Sequence, residues 1–486
     1  MVAPAVLALD IGSSSTRAML FDQAGAVVPG TMIRVKYELH TTHDGGAELD
    51  AEAMAEHAEH CLEQVLQAAS GQPIVAVGCA TLVGNILGVG ADGRALTPLW
   101  TWADTRAAGW SARLRTEWDE ASVWQRTGCP LHSAYLPARM LWLAETDPAL
   151  FKSVRRWLTL GEYLTERWLG QPLLSTSVAS WNGLLNRATA RWDSELFKLL
   201  PISEAQFSTP QHSDALWRGM LPAYAERWPA LREAAWIPPL GDGVASNLGL
   251  GATSPDQVAI NLGTSGALRV IAAAGSPIPP GLWCYRVDDG RELIGGALSN
   301  GGNLLQWAHG TLKLPDREAA EAARAAMPAG QHGLTVLPYW AGERSPGYAD
   351  YARAAISGMT LHTTPLHILQ AILESVAHSF ATLHSCLLPV LPPEHRVFAS
   401  GGAIERSPVW QQMLCDALGR PLVIGAAAEA TARGAAVFAL RSLGCDVPSQ
   451  PTATVTLQPD PARHALYRTA REAAAALRQA VLVPRQ

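Results

Sequence analysis

The segment Asp10-Ile11-Gly12-Ser13-Ser14 returns half a chain later as Asn261-Leu262-Gly263-Thr264-Ser265. Each copy lies between two apolar stretches. Leu7 to Asp10 and Arg17 to Phe21 flank the first; residues 258 to 275 contain the second. Strand, tight turn and strand predict a hairpin in both places. The glycine lets the backbone approach a ligand, and successive N–H groups in such a turn can cradle an anion. Ser13, Ser14, Thr16 and Arg17 add donors to the first turn, and Thr264 and Ser265 to the second. Two unrelated connecting hairpins would give the same letters. A repeat at half-length instead implies two lobes, each headed by a donor-rich turn, with a polyphosphate in the cleft between them.

A chain of 486 residues allows three ordinary domains or two large ones. Charged residues are 16% and apolar residues 48%, so large cores are expected and disorder is excluded. The net charge is −6, and lysine occurs only at positions 36, 152, 198 and 313, which leaves no broad basic field for nucleic acid. MVAPAVLALDIGSS has no basic leader region. The most apolar stretch, 74–89, is broken by Gly78, Thr81, Gly84, Asn85 and Gly88, so no membrane span is expected. The seven cysteines (61, 79, 129, 284, 386, 415 and 445) form no CxxC pair. They read as reduced thiols of a cytoplasmic protein. His57, His60 and Cys61 read as one amphipathic helix rather than a metal site.

Other nucleotide motifs fail. No lysine completes a GxxxxGK[ST] loop. Gly88, Gly90 and Gly93 spell GxGxxG, but Pro98 follows closely and Asp92-Gly93 reads as a hairpin turn. Asp242 stands between Gly241 and Gly243 before a run of small residues. It reads either as a helix N-cap or as a general base that takes a proton from a substrate hydroxyl, with Asp10 holding Mg²⁺ through water. Phosphoryl transfer needs mainly alignment and charge neutralisation, so one base, one metal carboxylate and two donor-rich turns suffice. Further on, strand RVFAS leads into Gly401-Gly402. A helix starts at Ser407-Pro408 and stops at Gly419, and Gly434, Ala435 and Ala436 allow close helix packing. Thr364-Pro365 starts a core helix containing Glu374.

Six segments, in order, resemble the FGGY carbohydrate kinases of the sugar kinase/Hsp70/actin superfamily. They are DIGSSSTR, WTWADTRA, GDGVASNLGLG, INLGTSGALRV, LPYWAGERSPGYADYARAAISGMTLHTTPLHILQAILES and FASGGAIERSPVWQQMLCDALGRPL. RTGCPLHSAYLPARMLWL and CYRVDDGRELIGGALSNGGNLLQW are similar to the gluconokinase subgroup. The resemblance implies an α/β fold of two RNase H-like (actin-like ATPase) domains, 1–248 and 249–486, with the active site in the cleft. It implies ATP and Mg²⁺, and transfer of the γ-phosphoryl group to a hydroxyl of a sugar or sugar acid, D-gluconate first. A pentulose, hexulose or polyol kinase and a nucleotide-binding non-kinase are the alternatives, and a homodimer is one option for assembly. By the same resemblance, Asp242 is catalytic, and Asp10 with Asp242 serves the metal. Gly12, Ser13, Ser14, Thr16, Arg17, Gly263, Thr264, Ser265, Gly302, Gly401, Gly402 and Ala403 bind ATP. Asn85, Trp102, Asp104, His132 and Asp242 meet the substrate; Arg139 and Arg344 either pair with a substrate carboxylate or stitch loops. The chain departs from the family at Leu82 and Gly84, where polar side chains are usual. It departs from the subgroup at Ser175, usually an acid, and at Trp181, usually small.

Overall fold

The computed structural model describes residues 4–69, 71–425, 429–447 and 453–482; Met1 to Ala3 of the N-terminal segment read above lie outside them. Ala5–Ile11 and Ser15–Phe21 form the first hairpin, with Asp10 opposite Arg17. All seven residues of Ala5–Ile11 are buried, because the strand is covered on both faces. Its alternation sorts the side chains. Ala5, Leu7, Leu9 and Ile11 pack with the helix Ala51–Ala68. Val6 and Ala8 pack with Ala432, Ala435 and Ala436 of the helix Ala430–Ser442. Asp10 continues the second of these rows.

The first sheet runs Ile33–Lys36, Ser15–Phe21, Ala5–Ile11, Ile74–Thr81, with Ala235–Trp236 and Leu240–Gly241 both paired to the far side of Ile74–Thr81. The hairpin and its neighbour are antiparallel; the remaining pairs are parallel. The second sheet repeats this wiring. Arg291–Leu298, Gly266–Ala273 and Gln257–Leu262 are antiparallel, and Arg396–Ser400 and Leu422–Gly425 then add in parallel. Trp283–Arg286 and Ala453–Leu457 extend its two edges. In each half a long helix precedes the fourth strand: Ala51–Ala68 in the first, Pro365–Leu387 in the second. The fold is therefore α/β with two RNase H-like lobes: the repeated hairpin predicts the two lobes, and the family resemblance their kind. The turn H-bond shows one difference between the copies: Gly12 N–H donates to Ser15 O, whereas Gly263 N–H donates one residue earlier, to Ser265 O (3.0 Å each).

Pro365–Val390 is long and apolar enough to cross a membrane, yet Leu369, Ile372, Val376, Phe380 and Leu387 are all buried in the second core. A third core holds the insertion between Ile74–Thr81 and Ala235–Trp236. It gathers Ile86, Trp100, Leu131, Met140, Trp157 and Leu184 into one buried cluster. In the helix Ala51–Ala68, His60 is exposed and Cys61 buried, so the two do not share a face.

Candidate active site

Ligands of open α/β sheets bind beyond the carboxyl ends of the strands. Here those ends are level: Ile11 pairs with Thr81, and Thr81 pairs with Gly241. This register brings Asp10, one residue before the first strand's end, toward Asp242, which follows the last. Asp242 opens the helix Asp242–Gly249, whose cap position is Gly241 with no side-chain cap bond. The carboxylate is thus not an N-cap. Its one hydrogen bond from the described residues comes from Gly243 N–H, 2.7 Å to Oδ1. Burial raises its pKa above the ordinary Asp value, while Arg269, the Gly243 N–H and Arg344 pull it down. Asp10 is 3% exposed. Burial, opposed by Arg17 and reinforced by the charge of Asp242, raises its pKa from 3.8 to about 6. Arg17 Nε lies 3.5 Å from Asp10 Oδ2. Arg17 and Arg34 both pair with Glu429, which ties the second lobe to the first hairpin.

Each donor-rich turn follows the carboxyl end of the first strand of its own sheet. No hydrogen bond from the described residues engages the hydroxyls of Ser13, Ser14, Thr264 or Ser265. In the second lobe two glycines close on one backbone, that of Leu262 and Gly263. A Cβ at Gly302 would lie 2.7 Å from Gly263 O, and one at Gly401 (φ +114°) 2.5 Å from Leu262 O. Ala403 N–H donates to that same Leu262 O at 3.2 Å. Gly263, Gly302 and Gly401 to Ala403 therefore form one surface, as the sequence reading groups them.

The wall beside Asp242 explains its two glycines. A Cβ on Gly241 would come within 2.8 Å of Trp181 Nε1, and one on Gly243 within 2.9 Å of the Trp181 ring and 3.1 Å of Arg269 Nε. Trp181 stacks on Tyr285 at 3.8 Å between centroids, so its bulk is fixed. Gly84 (φ +64°) faces Trp102, its Cβ position 3.1 Å from the Trp102 Cβ. A polar side chain there would collide with Trp102. Arg344 lies over the Trp102 ring at 4.9 Å. The sequence reading missed Arg269. Its signal is a lone charge between Leu268 and Val270 in the return strand of the second hairpin.

Four residues expected to meet a ligand make hydrogen bonds within the protein. Thr16 is fully buried and its hydroxyl meets Tyr37 OH at 3.1 Å, while Tyr37 donates to Gly12 O at 2.6 Å; Thr16 therefore supports the turn from behind. Asn85 gives Nδ2–H to Leu82 O at 2.5 Å and accepts from Leu160 N–H at 2.8 Å, so both ends of its amide are engaged. Asp104 accepts from the backbone N–H of Ala47 and Arg106 and from the Arg106 guanidinium. His132 accepts from Ala134 N–H through Nδ1 and meets Asp350 Oδ1 at 2.5 Å through Nε2, a bond between the lobes. Arg139 stitches loops: it donates to Ser133 O, Gly84 O and Thr101 O. Ser175 caps the helix Thr176–Ser180 and donates to Pro239 O.

Residues 5–249 match the N-terminal domain, and residues 258–443 the C-terminal domain, of the FGGY family of carbohydrate kinases. Gluconokinase of Bacillus subtilis is 27% identical over 90% of this chain and 88% of its own. The crystal structure of gluconate kinase from Lactobacillus acidophilus superposes with a TM-score of 0.91 at 25% identity, covering 99% of both chains. That of ligand-bound xylulose kinase from the same organism gives 0.92 at 25% identity, with the same coverage. With both domains matched in order and the two-lobed fold in common, the chain belongs to the FGGY family of carbohydrate kinases, phosphotransferases that act on a sugar hydroxyl with ATP as donor.

Proposed function

We propose that the acceptor is a sugar acid, D-gluconate first, and that Asp242 is the general base. The observation that carries the base assignment is the Asp242 carboxylate, which opens a helix without capping it and, among the described residues, leaves Oδ2 unbonded for a substrate hydroxyl. The overall similarity to gluconokinase along 90% of the chain favours gluconate as the acceptor. The two lobes are divided near residue 248, and the cytoplasm suits seven unpaired cysteines.

In this reading the transferring phosphoryl group is aligned by the two turns, with Gly12 to Ser14 on one side and Gly263 to Ser265 on the other. Gly302 and Gly401 to Ala403 take the adenosine. Asp242 accepts the proton of the attacking hydroxyl as the new O–P bond forms. Its place at the first turn of a helix favours the carboxylate form and offsets part of the burial. Arg17 and Glu429 fix the side chain of Asp10. A divalent cation fits here: Asp10 accepts no hydrogen bond from the described residues, and its repulsion with Asp242 is what such a cation relieves. Mg²⁺ usually takes one or two carboxylates together with substrate phosphates. Bound beside Asp10, it would supply charge neutralisation on the phosphates.

The test is ADP release with D-gluconate, D-xylulose, D-ribulose and glycerol as acceptors. Turnover of gluconate at least tenfold above the others supports the reading. Turnover confined to a ketose or polyol overturns it and selects the neutral-sugar alternative, which the xylulose kinase likeness favours.

A further inference from the structure

Two arginines border Asp242, and neither forms an ion pair among the described residues. Arg269 has Nε and Nη1 buried and, among the described residues, without a hydrogen-bond partner. Each guanidinium acts electrostatically on the other and on Asp242. A buried cation without a partner is costly, and a second one beside it raises the cost further. One carboxylate facing two guanidinium groups leaves a surplus positive charge in the part of the cleft the acceptor must enter. Burial, with Arg344 adding to it against the pull of Asp242, brings the Arg269 guanidinium down to about 10.

The loop that carries Arg344 is held from outside the matched family domains. Glu343, 5% exposed, accepts from Arg478 of the C-terminal helix Pro461–Val481 through both oxygens, Nη2–Oε2 at 2.6 Å and Nε–Oε1 at 3.2 Å. Tyr339 OH donates to the same Oε1 at 3.2 Å. This fork is the geometry in which an arginine fixes a carboxylate in orientation as well as distance. With Glu343 pinned on one side and the Trp102 ring beneath the guanidinium on the other, Arg344 has little freedom to leave the cleft.

We propose that Arg269 and Arg344 together seat the carboxylate of the acceptor, and that Arg478 is a positioning residue that holds Arg344 in place through Glu343. The proposal rests on the sugar-acid reading above and gives it residues. It also accounts for the departures at Leu82 and Gly84: polar groups missing from that strand end are replaced by charge from the opposite lobe.

The experiment compares D-gluconate with D-gluconamide, a neutral acceptor of the same shape, in the full-length enzyme with ATP and Mg²⁺. The wild type is expected to prefer the acid by about 100-fold in kcat/KM, the range of a bidentate charge-assisted contact. Arg269→Gln and Arg344→Gln should each cut that preference at least tenfold, mainly through KM for the acid, with KM for ATP unchanged. Arg478→Gln should lower it several-fold and Arg478→Lys restore part of it. Arg269→Gln also alters the surroundings of Asp242, but that effect falls equally on acid and amide and leaves their ratio alone. An unchanged acid-to-amide ratio in Arg269→Gln and Arg344→Gln overturns the seat while leaving a gluconate kinase standing. An unchanged ratio in Arg478→Gln alone removes the positioning role. A wild type that phosphorylates only neutral ketoses or polyols overturns both the seat and the reading beneath it.

Discussion

Gly249 and Gly434 meet backbone to backbone where the helices Asp242–Gly249 and Ala430–Ser442 cross. A Cβ on Gly249 would lie 1.7 Å from Ala430 O, and one on Gly434 would lie 1.7 Å from Ala245 O. Each helix follows the last parallel strand of its own lobe, so the crossing lies between the lobes; Asp242 opens one helix and Glu429 is the cap residue of the other. The obstacle on both sides is a carbonyl, which no rotamer change removes. Gly434→Ala should therefore force the helices apart and cost about 1–3 kcal/mol, read as a lower urea midpoint. Because Asp242 rides on one of these helices, kcat should fall as well. A variant with wild-type stability and turnover would show that the crossing tolerates a methyl group.

Asp242→Asn keeps the shape of the side chain and removes the base. Nucleotide affinity, measured by calorimetry, should stay within about threefold, while turnover falls about 10³-fold. The wild-type pH profile carries the same signature. Burial raises the Asp242 pKa, and the base works only when deprotonated, so kcat/KM should rise with pH through an acid limb placed above the ordinary aspartate range. Arg269 holds that limb down, so Arg269→Gln should move it to higher pH. A limb that moves lower would contradict the arrangement of charges.

The parts of this protein legible in its sequence are those written in local geometry. A glycine-bearing turn between two apolar runs specifies a hairpin by itself, and Asp242 stands out because glycines flank it. Those glycines are required by Trp181 and Arg269, which arrive from elsewhere in the chain. Polar residues were harder to place, because a side chain's partners are set by tertiary structure. Asn85 reads as a ligand contact until Leu160 supplies the N–H that occupies it. His132 does so until Asp350 crosses from the other lobe. Arg269 is the opposite case: its Nε and Nη1 have no hydrogen-bond partner among the described residues, and that is visible only once its surroundings are buried.

Asn85→Ala separates those two kinds of residue. Both amide ends bond to buried backbone, Leu82 O and Leu160 N–H. Removing them leaves two backbone groups unsatisfied, at about 1–3 kcal/mol each. The variant should lose thermal stability clearly, yet keep KM for its acceptor within about twofold at a temperature where it remains folded. A large rise in KM without loss of stability would return Asn85 to the substrate site.

Asp10 predicts a stability change of unusual sign. Its pKa in the folded chain is about 6 against the ordinary 3.8, chiefly through burial. A carboxyl group whose pKa is raised on folding favours the folded state when protonated. That contribution is complete below the unfolded value, and it is lost as pH rises through the folded value. In the absence of ligands, the ionised Asp10 therefore destabilises the protein at about pH 7, by an amount on the order of 3 kcal/mol. Asp10→Asn should accordingly melt higher than wild type at neutral pH, and the gap should close between about pH 6 and pH 4. Adding Mg²⁺ with nucleotide should reverse the ranking at neutral pH, since the wild type gains binding energy that the variant lacks. Two melting series, with and without those ligands, check both halves. If Asp10→Asn melts lower than wild type at neutral pH without ligands, the Arg17 pairing outweighs burial and the carboxylate is a structural member of the hairpin.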